Sequence, residues 1–195
     1  MSLTDIVVHG TIGSGGNHVR WLLLMDKKFN FYNLNNIGEK INFIKKFVYP
    51  KTRNHKNWLE YEWRYRKSLN KYITFGHTCW ANGWEHRMED FSKYNVYVNS
   101  NDANLLLELY SKFNPTLNNM TREEFLYQAL NEHNESICCL TNWHKGIQVD
   151  TKILYQEILD ETLYKNLITY CNLDNNYEYC NQIHNLWFNL HAGLV

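Results

Sequence analysis

The chain predicts an α/β fold, a mainly parallel sheet flanked by helices on both faces, and three observations carry that prediction. Short β-branched runs alternate with helix-length amphipathic stretches. A glycine-rich turn, "GTIGSGGN", separates the first such run from the first helical one. The stretches between successive strands are long enough for crossover connections, which parallel pairing requires.

In order along the chain, Asp5 to His9 reads as a short buried strand, and Val19, Leu22 and Leu23 recur at helical spacing after the glycine turn. Ile37 to Phe47 and Trp58 to Leu69 read as helices, the second aromatic and basic. Tyr72 to Phe75 reads as a strand that ends at Gly76 and His77. "NVYVN", Asn95 to Asn99, alternates as a strand and leads into a leucine-rich helix, Ala103 to Phe113, with Asn101 or Asp102 as N-cap and Pro115 beyond its end. Thr121 and Glu124 form a capping-box pattern. Ile153 to Tyr155 reads as a last strand, followed by helices at Glu161 to Cys171 and Tyr177 to His191.

At 195 residues the chain is expected to form one domain spanning 1–195. It is 44% hydrophobic and 15% aromatic with only two Pro, which argues for a packed core and against disorder. Net charge is zero, so no protein-wide nucleic-acid surface is expected, but Lys45 to Lys71 is strongly basic and Asp150 to Glu178 acidic. Five Cys without a C-x-x-C pair favour a reducing compartment. With no membrane-length apolar run and no basic-then-apolar opening, the expected location is cytoplasmic, and the sequons at Asn119 and Asn134 carry no weight there.

The spacing Gly10-x-x-x-x-Gly15-Gly16-Asn17 is that of a phosphate-binding loop whose Lys and Ser/Thr have become Gly16 and Asn17. A turn of this kind, with the N–H groups and positive dipole end of the following helix, makes a concavity for a phosphate. Without the Lys and the magnesium-holding hydroxyl, ATP-type hydrolysis is disfavoured. The plain structural alternative is a glycine turn that joins strand to helix and binds nothing.

"GSGGNHVRWLL", Gly13 to Leu23, resembles the phosphosulfate-binding loop of the sulfotransferases, whose P-loop-type fold carries a Lys-Ser-Gly-Thr-Thr-Trp-Leu pattern. Ser14 and Gly15 match its Ser-Gly, Gly16 and Asn17 stand at its two Thr, and Gly13 stands at its Lys. "YITFGHTCW" is similar to the segment where a strand ends in Lys-Thr-His, so the resemblance makes His77 the general base on the acceptor hydroxyl. An imidazole suits that role because it titrates near neutrality. A histidine that merely caps a strand end is the structural alternative. The same alignment puts Asn101 and Leu109 where the family grips a 3'-phosphate with Arg and Ser. "ILYQEILDETLYKNLITYCNL" follows the family's strand, acidic turn and helix, whereas its late Gly-rich nucleotide loop has no counterpart.

The resemblance implies transfer of a sulfuryl group from PAPS (3'-phosphoadenosine 5'-phosphosulfate) to a hydroxyl or amine of a small molecule, glycan or protein. Ser14, Gly15, Gly16, Asn17, His18 and Arg20 would hold the donor, with His18 or Arg20 replacing the absent Lys if their side chains turn toward the loop. The alternative is a non-catalytic relative that binds an anion or a protein partner; a nucleotide kinase is a weaker third.

Other patterns read as structural. Trp58, Tyr61 and Tyr65 recur at helical spacing with Arg64, Arg66 and Lys67 around them, which fits a core stripe better than a base-stacking surface. Nine His and five Cys include no metal-ligand spacing, and His184, Trp187 and His191 share one helical face, a packing pattern, so no metal is assigned. Gly13-Ser14-Gly15 lacks the spacing of an esterase elbow.

Overall fold

Four parallel strands form one sheet among the described residues of the computed structural model, which are 6–10, 14–29, 34, 36–48, 73–77, 94–100, 102–113, 121, 123–124 and 146–192. The strands are β1 (Ile6–Gly10), β2 (Ile73–His77), β3 (Tyr94–Asn99) and β4 (Ile147–Asp150), in the order β2-β1-β3-β4. Gly10 is the register partner of His77 on β2 and of Val98 on β3, and Asn99 is that of Asp150 on β4. The carboxyl ends of all four strands therefore lie along one edge. The chain leaves β1 toward β2 and then recrosses to β3 on the other side, so the order reverses between β1 and β3. Open α/β sheets bind ligands at the carboxyl edge of such a reversal.

Side-chain alternation sorts the two faces of the sheet. Ile6, Val8, Val96, Val98 and Val149 join the main hydrophobic core. Val7, His9, Asn95 and Tyr97 are buried on the opposite face. There the His9 ring stacks on Tyr97 and its Nε2 lies 3.1 Å from Asn95 Oδ1.

The described helices are α1 (Gly16–Leu23), α2 (Ile37–Phe43), α3 (Ala103–Phe113), α4 (Thr151–Leu154), α5 (Glu161–Cys171) and α6 (Tyr177–Ala192). α1 packs on β1, β2 and β3 and against α6, while α5 packs on β3 and β4. Val19, Leu22 and Leu23 of α1 are buried with Ile183 and Trp187 of α6, at about 1.5–3 kcal/mol for each large apolar side chain. Hydrogen-bonding side chains start most helices. Asn36 accepts from the Glu39 N–H, Asp102 from those of Asn104 and Leu105, Asp150 from Lys152 and Asp160 from Leu163. α5 ends on Asn172 at φ 52°, the left-handed geometry that Asn tolerates.

Most expected elements occur with shifted ends. β1 and β2 extend through Gly10 and His77, one and two residues past the expected limits. The helix expected over Ile37 to Phe47 widens into a π-type turn at Ile44–Val48. The Thr121–Glu124 capping box forms with both reciprocal bonds, 2.7 and 3.2 Å.

One element is wrong in kind. The strand expected over Ile153 to Tyr155 is instead the helical turn α4 and its C-cap, and the strand lies just upstream at β4. An apolar triplet does not distinguish strand from helix by periodicity. Asp150 decides it, because its carboxylate accepts the Lys152 N–H at 2.8 Å and opens a helix. The helix expected at Trp58 to Leu69 lies outside the described residues. Among those described, no helix is long and apolar enough to cross a membrane.

Candidate functional site

The site is built where β1 delivers the chain to α1. Gly15 is the N-cap of α1 at φ 88°, a left-handed conformation that any L side chain would strain. Its position is also crowded, since a Cβ there would lie 3.2 Å from Leu154 Cδ1 and 3.7 Å from Trp187 Cζ2. α4 and α6 thus close over the turn. Gly15 provides no side-chain cap, and no acidic residue occupies the first turn of α1. Protein side chains do not neutralise the positive end of this helix by either route.

Ser14, immediately before the N-cap, is wholly buried. Its carbonyl accepts the Thr151 hydroxyl at 3.0 Å, which ties the turn to α4. Its own hydroxyl has no hydrogen-bond partner. A buried hydroxyl left unpaired costs about 1–3 kcal/mol, so such a group needs a reason for being there.

His18, the third residue of α1, is buried and stacks face to face on Trp187, with ring centres 4.1 Å apart and 2° between planes. Its Nε2 lies 3.1 Å from Nδ1 of His184, whose Nε2 lies 2.7 Å from the Gln156 carbonyl oxygen. A carbonyl only accepts, so His184 Nε2 carries a proton and donates. In the neutral ring Nδ1 is then an acceptor, and His18 Nε2 donates to it. Burial lowers the His184 pKa below its ordinary 6.5, only partly opposed by its bond to Gln156. This line of three groups reaches from α6 to the first turn of α1.

The sequence-derived site residues therefore separate. Ser14, Gly15, Gly16 and His18 form the turn and first helical turn, with Asn17 half-buried beside them. Arg20 is buried farther along α1, and His18 is engaged with α6, so the condition set for replacing the absent Lys, that one of them turn toward the loop, is not met by the His18 contacts described. His77 ends β2 beside Gly10, on the same carboxyl edge as the turn, and its description is confined to the backbone. Leu109 is buried on α3. Gly13, Asn101 and the basic segment from residue 51 to 71 lie outside the described residues.

Thr151, Leu154, Gln156, His184 and Trp187 are parts of the site that the sequence did not assign to it. The pair His184 and Trp187 was legible as a packing face, but its partner, His18, is brought to it only by the fold. Among the described residues no cluster of His, Cys, Asp and Glu has the arrangement to hold a metal ion. In comparisons with protein families, curated proteins and solved structures, the chain matches none.

Proposed function

We propose that the chain is an anion-binding α/β domain of P-loop-type, sulfotransferase-like architecture, which takes a phosphate- or sulfate-bearing ligand at Ser14 to His18. The observation that carries this reading is the buried, unpartnered Ser14 hydroxyl at a helix start with no side-chain cap. A bound oxyanion satisfies both, accepting the serine O–H and the first-turn N–H groups while meeting the positive helix end.

The activity that fits such a site is sulfuryl transfer from PAPS to a hydroxyl or amine. The residues present suit the phosphosulfate end of the donor, because Ser14 offers an O–H that nothing else accepts. When bound, the donor supplies the sulfuryl group. Ser14 and the first-turn amides then stabilise charge as the bond from sulfur to the phosphate oxygen breaks. As the acceptor oxygen bonds to sulfur, its proton passes to His77, on the same sheet edge as Gly10.

A second reading has its own observation. Leu109 buries an apolar side chain where the resemblance calls for a 3'-phosphate ligand, which favours a non-catalytic anion or partner binder. Calorimetric titration with sulfate and with the desulfated donor, 3'-phosphoadenosine 5'-phosphate, separates the two. Sulfate binding with weak or absent nucleotide binding supports the anion site and the non-catalytic form. Tight nucleotide binding, with sulfuryl transfer that His77→Ala abolishes, supports the enzyme. Failure of both ligands to bind overturns the anion site.

A further inference from the structure

We propose that His184 is a positioning residue for the Ser14–His18 anion site: it makes His18 the one imidazole of the pair that takes up a proton, so that an anion binding at the turn brings a proton with it. The inference rests on the anion-binding reading and concerns how that site is regulated.

The geometry leaves few proton arrangements. With the Gln156 carbonyl oxygen 2.7 Å from His184 Nε2, that nitrogen must donate, and His184 Nδ1 faces His18 Nε2 at 3.1 Å. A proton added to His184 would set two N–H groups against each other across that gap unless His18 first changed tautomer. A proton added to His18 leaves both bonds intact, because imidazolium still donates from Nε2. His184 is also buried among apolar groups, which disfavours charge on it. His18 instead lies face to face with Trp187, where a cationic ring is favoured by the indole π-system.

What decides the proton on His18 is then the occupancy of the turn. With the turn free of ligand, the positive end of α1 and burial both oppose a cation in the first turn. An oxyanion held by the same turn reverses the sign and favours it. His18 thereby supplies, on demand, the positive charge that Gly13 and Gly16 do not. Around the pair, α1 contributes Arg20, which stays charged, and the turn after α4 contributes Tyr155, which packs on Trp187 and whose phenol burial keeps neutral. Asp150, Lys152 and Glu157 are exposed. Lys40 titrates nearer to neutrality than an ordinary lysine but contacts the opposite end of α1.

The test is calorimetric titration of the full chain with sodium sulfate in buffers of different ionisation enthalpy. Sulfate does not protonate near neutrality, so any linked proton belongs to the protein. The expected result is uptake of up to one proton per sulfate and an affinity that falls by up to about tenfold per pH unit above neutrality, the limit for one linked proton. Sulfate binding with no dependence on buffer or pH overturns the inference while leaving the anion site standing, whereas no sulfate binding overturns both. His184→Gln keeps an acceptor for His18 and a donor for Gln156 without a titrating ring, so uptake should persist; His18→Gln should abolish it. The reverse pattern assigns the proton to His184 and overturns the proposal. Should a variant not fold, ring nitrogen shifts of the wild-type histidines during the same titration read which imidazole gains the proton.

Discussion

The two ends of α1 are finished in opposite ways. At the C-terminal end the buried Lys40 ammonium donates to the carbonyl oxygens of Leu24 and Asp26, at 3.0 and 2.5 Å. The Asp26 carboxylate accepts the N–H groups of Lys28 and Asp174. Every feature there suits a helix C-terminus, where carbonyls lack partners and a cation is favoured. At the other end, about 12 Å away for eight residues, a glycine cap offers no side chain and a buried serine hydroxyl has no partner. One sequence has closed the end that only holds the fold together and left polar groups open at the other. The difference separates a structural terminus from a binding one.

The comparison breaks most visibly at the closed end. Lys40→Met keeps the apolar stem of the side chain but leaves two buried carbonyl oxygens without their charged donor. The expected loss is about 2–4 kcal/mol in urea unfolding, from two charge-assisted bonds at about 1.5–3 kcal/mol each with partial relief by water. A loss below about 1 kcal/mol would show that the closed end is not held by this lysine.

At the open end the backbone is the vulnerable part. Gly15→Ala forces an L side chain to φ 88° and places its Cβ 3.2 Å from Leu154 Cδ1. The conformation costs about 1–2 kcal/mol and the contact adds to it where Leu154 cannot yield, so a loss of about 1–3 kcal/mol is expected. Sulfate binding should fall with it, because the strain acts on the turn itself. Retained binding at wild-type affinity would detach the site from this turn.

Ser14→Ala sharpens the contrast because its two effects have opposite signs. Removing a buried hydroxyl that has no partner should leave stability unchanged or raise it by up to about 1 kcal/mol. Removing the same hydroxyl from a bound anion should weaken sulfate about 5- to 100-fold, the equivalent of about 1–3 kcal/mol. Thermal unfolding without sulfate and calorimetry with it read the two separately. A variant that loses stability and keeps its affinity would make Ser14 a structural residue.

The open end was legible in the sequence only as a frame. Gly15 stood out because a strand, a glycine turn and a helix follow one another, and the register of Gly10 with His77 agrees with the placement of both at one sheet edge. The cover over that turn was not legible. Trp187 and Leu154 lie more than a hundred residues away, and Leu154 was assigned to a strand because a triplet of apolar residues has no readable period. The lysine at the closed end was hidden for a similar reason. Lys40 in "GEKINF" looks like any solvent-facing residue of an amphipathic helix, and only the fold brings it against the end of α1. Local pattern locates turns and caps; which distant side chain completes them is a property of packing.

The smallest expected effects are in the pH dependence of stability, and they sharpen the contrast by addressing each end in its own window. Burial pushes the Lys40 ammonium down to about 8 from its ordinary 10.5, so between those values the unfolded chain holds the proton more tightly than the folded one. Stability contributed at this site therefore rises as pH climbs from about 8 toward 10.5, and wild type should gain on Lys40→Met across that range. His184 is also a base with a lowered pKa, in a lower window. As pH falls through 6.5, the unfolded chain takes up a proton that folded His184 resists, so stability is lost toward acid. His184→Gln should flatten that acid limb and leave the alkaline one unchanged, while Lys40→Met should do the converse. Urea midpoints from pH 5 to pH 10 for the three proteins read both limbs. If either variant altered both limbs, the two ends of α1 would be coupled, and the closed end could no longer be treated as independent of the open one.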